Sequence, residues 1–275
     1  MRLGVMFDRD LPPEQLIPFA RQLDDTSVDD LWVVEDLGWT GAISAAATAL
    51  AVTSRLRVCI GITPAPLRNP ALLAMELANL ARLHPGRLVA GIGHGVQSWM
   101  RQVGAAAASP LALLEETLIS VQSLMRGEQV TLHGREVTLD GIRLVHPAEA
   151  IPPVMAGVLG PRSLAVSGRV AQGTIVPEGF GPKEIRDALT HIAAPGDHEL
   201  VVFTHLYVGD SPDLLDPIRR DVGEFVGKAP ADVPMATGSP AEITAYIKTL
   251  HDAGADTVVL RPVGPDPLPH VLAIL

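Results

Sequence analysis

Apolar and polar positions follow two different rhythms along this chain. Short apolar runs, among them Leu3–Phe7, "DLWVVED", "RLRVCIGI" and "GRLVAGIG", carry no regular polar interruption and read as strands buried on both faces. Between and after them lie stretches of helical spacing: Pro13–Asp25, Gly41–Thr53, Pro70 to about Leu83, and Pro110–Arg126. Three of these place proline in the first turn, where its missing N–H costs nothing. The rhythm breaks once. "EQVTLHGREVTLDGIRLVHP" alternates apolar and polar residues around His133-Gly134, which predicts a hairpin near residues 129–140 and not another crossover helix. It resumes with strands in "IPPVMAG", "AQGTIVPEG" and "HELVVFTHLYVG" and helices in "GPRSLAVSGRV" and "KEIRDALTHIA". Helical stretches at Pro212–Val226 and Ser239–Ala253, a last strand "ADTVVLRP" and a short closing helix in "LPHVLAIL" complete the chain. About eight strand–helix units in roughly 250 residues is the arithmetic of one (β/α)8 TIM-like barrel, a single domain over 1–275. A doubly wound open sheet is the structural alternative.

Composition narrows the possible partners. Residues are 47% hydrophobic but only 4% aromatic, so the core must be built from Ala, Val, Leu and Ile. The net charge of −10 and a pI near 5.3 leave no basic stripe for nucleic acid or an anionic membrane. An anionic small ligand would need a local cluster of arginines or free backbone amides. The lone Cys59 sits in an apolar run and offers neither a disulfide framework nor a thiolate metal site. "MRLGVMFDRD" lacks the basic and apolar regions of a signal peptide, and no stretch approaches the roughly 18 apolar residues of a membrane helix. A soluble, cytoplasmic protein is the expectation.

In a barrel, chemistry gathers at the C-terminal strand ends. These are Phe7-Asp8, Glu35-Asp36, Gly61-Ile62-Thr63, Gly93-His94-Gly95, Ala156-Gly157 and Pro177-Glu178. "GIGHG" is not the dinucleotide fingerprint, because its third glycine falls one position early. Its bare backbone, with His94 and Trp99 close by, suits the approach of a flat ligand as well as a tight turn. Glu35 and Asp36 point opposite ways, so one can face the mouth while the other caps a helix. Arg68 lies in a proline-rich loop and either pairs with an anion or stays on the surface. Gly157 and Gly160 precede Pro161, Arg162 and Ser163 in a first helical turn, a place for a phosphate or an ordinary strand-to-helix turn. The nine histidines show neither HxxxH nor HxH spacing, and no metal site is expected.

"LRNPALLAMELANLARLHPGRLVAGIGHG" resembles the signature of luciferase-like flavin and deazaflavin oxidoreductases, with Asn-Pro opening a helix and Pro-Gly-Arg leading to a glycine-rich strand end. "VLGPRSLAVSGRVAQGTI" and "GSPAEITAYIKTLHDAGADTVVLRP" are similar to later segments of the same family, and "GHGVQSWMRQVG" to its coenzyme F420 branch. The resemblance implies hydride transfer between F420 and an organic substrate, with FMN-dependent monooxygenation or flavin binding without turnover as alternatives. It implies a homodimer, and a non-proline cis peptide at Gly61-Ile62 forming a bulge behind the ring. Glu35, Gly61, Ile62, Thr63, Arg68, Gly93, His94, Gly95 and Gly157 would border the cofactor. Gly160, Pro161, Arg162 and Ser163 would lie near its phosphate. Phe7, Trp99 and Glu178 would wall the substrate pocket, and Asp36 is the candidate for proton transfer or ring orientation. Some deazaflavin-dependent dehydrogenases of the family carry Asp-His after strand two; this chain has Glu35-Asp36 there, and Val96 and Trp99 where they carry Glu and Asn.

Overall fold

The parallel pairing of β1 (Arg2–Met6) with β2 (Asp30–Val33), followed outward, closes a cylinder in a computed structural model describing residues 1–275. The remaining strands are β3 (Arg57–Pro64), β4 (Leu88–Gly93), β5 (Val130–His133), β6 (Thr138–Ile142), β7 (Val154–Gly157), β8 (Gly173–Val176), β9 (Glu199–Val208), β10 (Ala236–Gly238) and β11 (Thr257–Pro262). The order β1-β2-β3-β4-β7-β8-β9-β11 returns to β1 with every pair parallel, so the eight-stranded barrel is closed and the open-sheet alternative is excluded. The antiparallel hairpin β5–β6 stands apart from it, at the predicted place. β10 extends the outer end of β9 by three residues.

Helices α1 (Leu16–Asp24), α2 (Ala42–Val52), α3 (Pro70–Leu83), α4 (Gln97–Gln102), α5 (Pro110–Met125), α6 (Pro161–Val170), α7 (Pro182–Ile192), α8 (Pro212–Val226), α9 (Pro240–Asp252) and α10 (Leu268–Leu272) fill the connections. The first predicted helix is divided into a 3-10 turn, Pro13–Gln15, and α1. Beginning at Leu16 places Pro18 within the first turn, where it breaks no helical hydrogen bond. α4 and β10 are too short to carry a readable period, and neither was legible in the sequence. No helix is long and apolar enough to cross a membrane.

Apolar strands bury residues on both sides, giving two separate cores. The larger lies between barrel and helices; a smaller one fills the lumen with Met6, Trp32, Cys59, Met155, Phe203 and their neighbours. At the N-terminal end of the lumen Arg57 bonds Asp30 at 2.7 Å and Glu199 at 3.2 Å, and Thr257 bonds Glu199 at 2.6 Å. All four residues begin their strands, or the paired segment of them. This polar plug closes the bottom and leaves the opposite end for a cavity.

Candidate active site

The C-terminal end of the barrel is shaped by an irregularity in β3. Its register against β4 shifts between Ile60 and Thr63, and the Gly61–Ile62 peptide bond is cis, at the place the resemblance implied. Ile62 occupies space that three glycines leave empty. A Cβ on Gly157 would stand 2.3 Å from Ile62 Cγ2, and one on Gly93 2.9 Å from Ile62 Cγ1. On Gly91 it would meet Ile60 O at 2.2 Å. Gly157 makes room for Ile62 and still lines the cavity, but the expectation that the glycines of "GIGHG" open the backbone directly to a flat ligand is corrected for Gly91 and Gly93. They admit the bulge, and the side chain of Ile62 faces the cavity in their stead. Gly95 differs, since its φ of 66° is a left-handed turn that favours glycine.

Above the bulge opens a cavity of about 940 Å³ with an apolar floor of Met6, Ile62, Ile175 and Phe203. α8 roofs one side with Ile218, Val222 and Phe225, resting on a small core of Leu215, Val233, Met235 and Val263. The rim is ionic. Arg261 Nε donates to Asp8 Oδ2 at 2.5 Å, and Arg261 Nη1 to Glu178 Oε1 at 3.1 Å. Burial works against the Glu178 anion, but the Arg261 guanidinium beside it holds its carboxyl below the usual range. His205 is 4% exposed, and burial, helped by Arg261 against the pull of Glu178, lowers its pKa to about 4. A neutral imidazole therefore lines the cavity, with no hydrogen-bond partner in the protein for its ring.

Glu35 and Asp36 divide as the strand geometry requires. Glu35 accepts from Arg68 and from the Ala42 amide at 3.0 Å, holding the start of α2. Asp36 pairs with Arg9. Arg9 lies 4.5 Å over the Trp39 ring, Trp39 Nε1 donates to Asp10 at 2.9 Å, and Trp39 stands 6.0 Å from Trp99.

Of the residues singled out in the sequence, the cavity is lined by Glu35, Asp36, Gly61, Ile62, His94, Gly95, Gly157, Trp99 and Glu178. Phe7 is not among them. It turns outward onto Phe19 of α1, rings 5.4 Å apart, because neighbouring strand residues face opposite sides and Met6 takes the inward place. That corrects its assignment to the substrate pocket. Thr63 and Gly93 are buried beside the bulge, and Arg68 stands behind Glu35. Gly160, Pro161, Arg162 and Ser163 form the start of α6 beyond the cavity, joined to it by His94 Nε2 and Ser163 Oγ at 3.0 Å. Arg162 is exposed and forms no ion pair, and Gly160 offers no side-chain cap to the first α6 amides.

Arg9, Trp39, His205 and Arg261 were missed by sequence reasoning, and Asp8 was noted only as a strand end. A signal existed for two of them: "FTHLYVG" sets a histidine and "VVLRP" an arginine near the end of an apolar strand. Nothing local marks Arg9 and Trp39, which meet only through the fold.

Comparison with known proteins adds four findings. A family model described as luciferase-like monooxygenase matches residues 1–222. The chain is 23% identical to the 5,10-methylenetetrahydromethanopterin reductase of Methanolobus tindarius over 97% of its own length and 96% of the relative's. It is 30% identical to the F420-dependent glucose-6-phosphate dehydrogenase of Nakamurella multipartita over 56% of this chain, spanning only 44% of that enzyme. Among solved structures, the coenzyme F420-dependent tetrahydromethanopterin reductase of Methanopyrus kandleri superposes with a TM-score of 0.82, 18% identity, and coverage of 99% of this chain and 96% of that one.

Proposed function

The chain belongs to the luciferase-like monooxygenase family, and on that premise we propose that it is an oxidoreductase moving a hydride between coenzyme F420 and a small organic substrate. The observation that carries this is similarity to F420-dependent enzymes in both sequence and fold, with the reductase relative matched along nearly its whole length. When bound, the deazaflavin supplies a carbon that accepts and releases hydride; the protein supplies position, polarity and exclusion of water.

The residues present suit such a group. The apolar floor and Ile62 offer a flat backing, and Gly61, Gly95 and Gly157 border it without side chains. The uncapped amides at the start of α6, Ser163 and the unpaired Arg162 suit a phosphate by charge and by hydrogen bonding. Glu35 and Arg68 fix the start of α2 beside the mouth. Asp36, held by Arg9, is the group assigned to proton transfer or ring orientation. Trp99 and Glu178 face the substrate side. In the same reading the chain is one barrel domain working in the cytoplasm as a homodimer, supported by exposed Leu72, Met75 and Ile119 on the packed helices α3 and α5.

The test is titration of purified apoprotein with F420 and, separately, FMN. F420 binding at least tenfold tighter, about 1.4 kcal/mol, is the expected outcome. A preference for FMN would replace this reading with a flavin-dependent monooxygenase, and binding of neither would remove both.

A further inference from the structure

Charge decides which molecules can enter the barrel mouth. Six carboxylates line the cavity: Asp8, Asp10, Glu35, Asp36, Glu178 and Asp221. Two guanidiniums line the cavity with them, Arg9 and Arg261, and a third, Arg68, stands behind Glu35 and is shared with Glu76, so negative charge is left in excess. No lysine lines the space. Neither arginine facing it is free, since Arg261 bridges Asp8 and Glu178 and Arg9 pairs with Asp36. An entering phosphate or carboxylate would have to displace an internal carboxylate from a guanidinium and then sit among like charges. The unpaired Arg162 lies outside this space, on the side assigned to the cofactor's own phosphate.

The remaining surfaces favour a different guest. Trp99 lines the cavity with Trp39 behind it, and Trp39 is fixed by its bond to Asp10 and by Arg9 stacked over its ring. An indole wall in an acidic mouth attracts flat apolar molecules and cations alike. His205, 4% exposed and without a protein partner, adds one uncommitted hydrogen-bonding position beside the Arg261, Asp8 and Glu178 groups that are already paired with one another.

Taking the hydride-transfer reading as given, we propose that the substrate is a flat, uncharged or cationic molecule stacked on Trp99, with a heteroatom held by His205. Phosphorylated sugars and carboxylates are turned away by charge. This separates the site from sugar-phosphate chemistry, although a partial relative acts on a sugar phosphate by its name.

The test is calorimetric titration of F420-loaded protein and of apoprotein, in parallel, with 2-acetylnaphthalene, N-methylquinolinium, 2-naphthoate, naphthalene and glucose 6-phosphate. The ketone and the cation are expected to bind at least tenfold tighter than 2-naphthoate, and glucose 6-phosphate not measurably. His205→Leu should weaken the ketone at least tenfold while leaving naphthalene unchanged. Asp221→Asn, an exposed position on α8, should narrow the ketone-to-naphthoate gap severalfold without endangering the fold. Naphthoate or glucose 6-phosphate binding within threefold of the ketone would overturn the proposal. So would equal losses of ketone and naphthalene in His205→Leu, or a gap untouched by Asp221→Asn. Discrimination by apoprotein that fails to bind F420 would uphold this proposal and reject the cofactor reading; F420 binding without discrimination would do the reverse.

Discussion

At Gly157 a single methyl group decides where Ile62 can stand. Gly157→Ala would drive a carbon to within 2.3 Å of Ile62 Cγ2 and is expected to cost about 1–3 kcal/mol through overpacking. In urea unfolding, adding Ile62→Ala to that variant should recover part of the loss, because the two changes act on one contact. His205 gives a second residue-scale prediction. Its folded pKa, about 4, lies below the 6.5 of the unfolded chain, so the unfolded chain takes up the proton first as pH falls. The contribution is complete above pH 6.5 and is lost towards pH 4, on the order of 3 kcal/mol in all. Glu178, Asp8, Arg261 and Arg9 are the charged groups acting on this ring. Unfolding curves at pH 7 and pH 5 should therefore draw closer together in His205→Asn than in the parent protein.

Elements are set by signals of different range. Asn69 accepts from the Ala71 amide at 2.9 Å and Pro70 follows it, so the start of α3 is decided within three residues. Asn69→Ala should lower thermal stability by about 1 kcal/mol. The starts of β2, β3, β9 and β11 depend instead on one another through Arg57, Asp30, Glu199 and Thr257. Burial raises the Asp30 carboxyl even with Arg57 beside it, so removing the cation leaves a desolvated charge. Arg57→Met is expected to cost about 3–5 kcal/mol in chemical unfolding, and Asp30→Asn with Arg57→Met distinctly less. Helices with proline-marked starts were legible because the signal is local. The break of α1 at Leu16, the three-residue β10 and the six-residue α4 follow from packing and were not.

For the whole molecule, barrel closure puts stability at one end and the cavity at the other. The plug around Arg57 seals the N-terminal end of the lumen, while the ionic rim at Asp8, Glu178 and Arg261 stays open at the C-terminal end. A ligand of the cavity binds the closed barrel and not the unfolded chain. F420 at a hundred times its Kd should therefore add about 2.7 kcal/mol and raise the melting temperature by about 5–10 °C. A thermal shift confined to FMN would contradict the proposed cofactor.

The sequence by itself determined the barrel, its hairpin, most helix starts and the strand ends where chemistry gathers. Periodicity, proline placement and glycine spacing act over a few residues and survive in the linear pattern. Only the tertiary structure decided that Phe7 faces outward, that the glycines serve Ile62, and that Arg9, His205 and Arg261 share a cavity with Asp36 and Glu178. Those relations join residues as far apart as Asp8 and Arg261, and they exist only once strand register and barrel closure fix which side chains point inward.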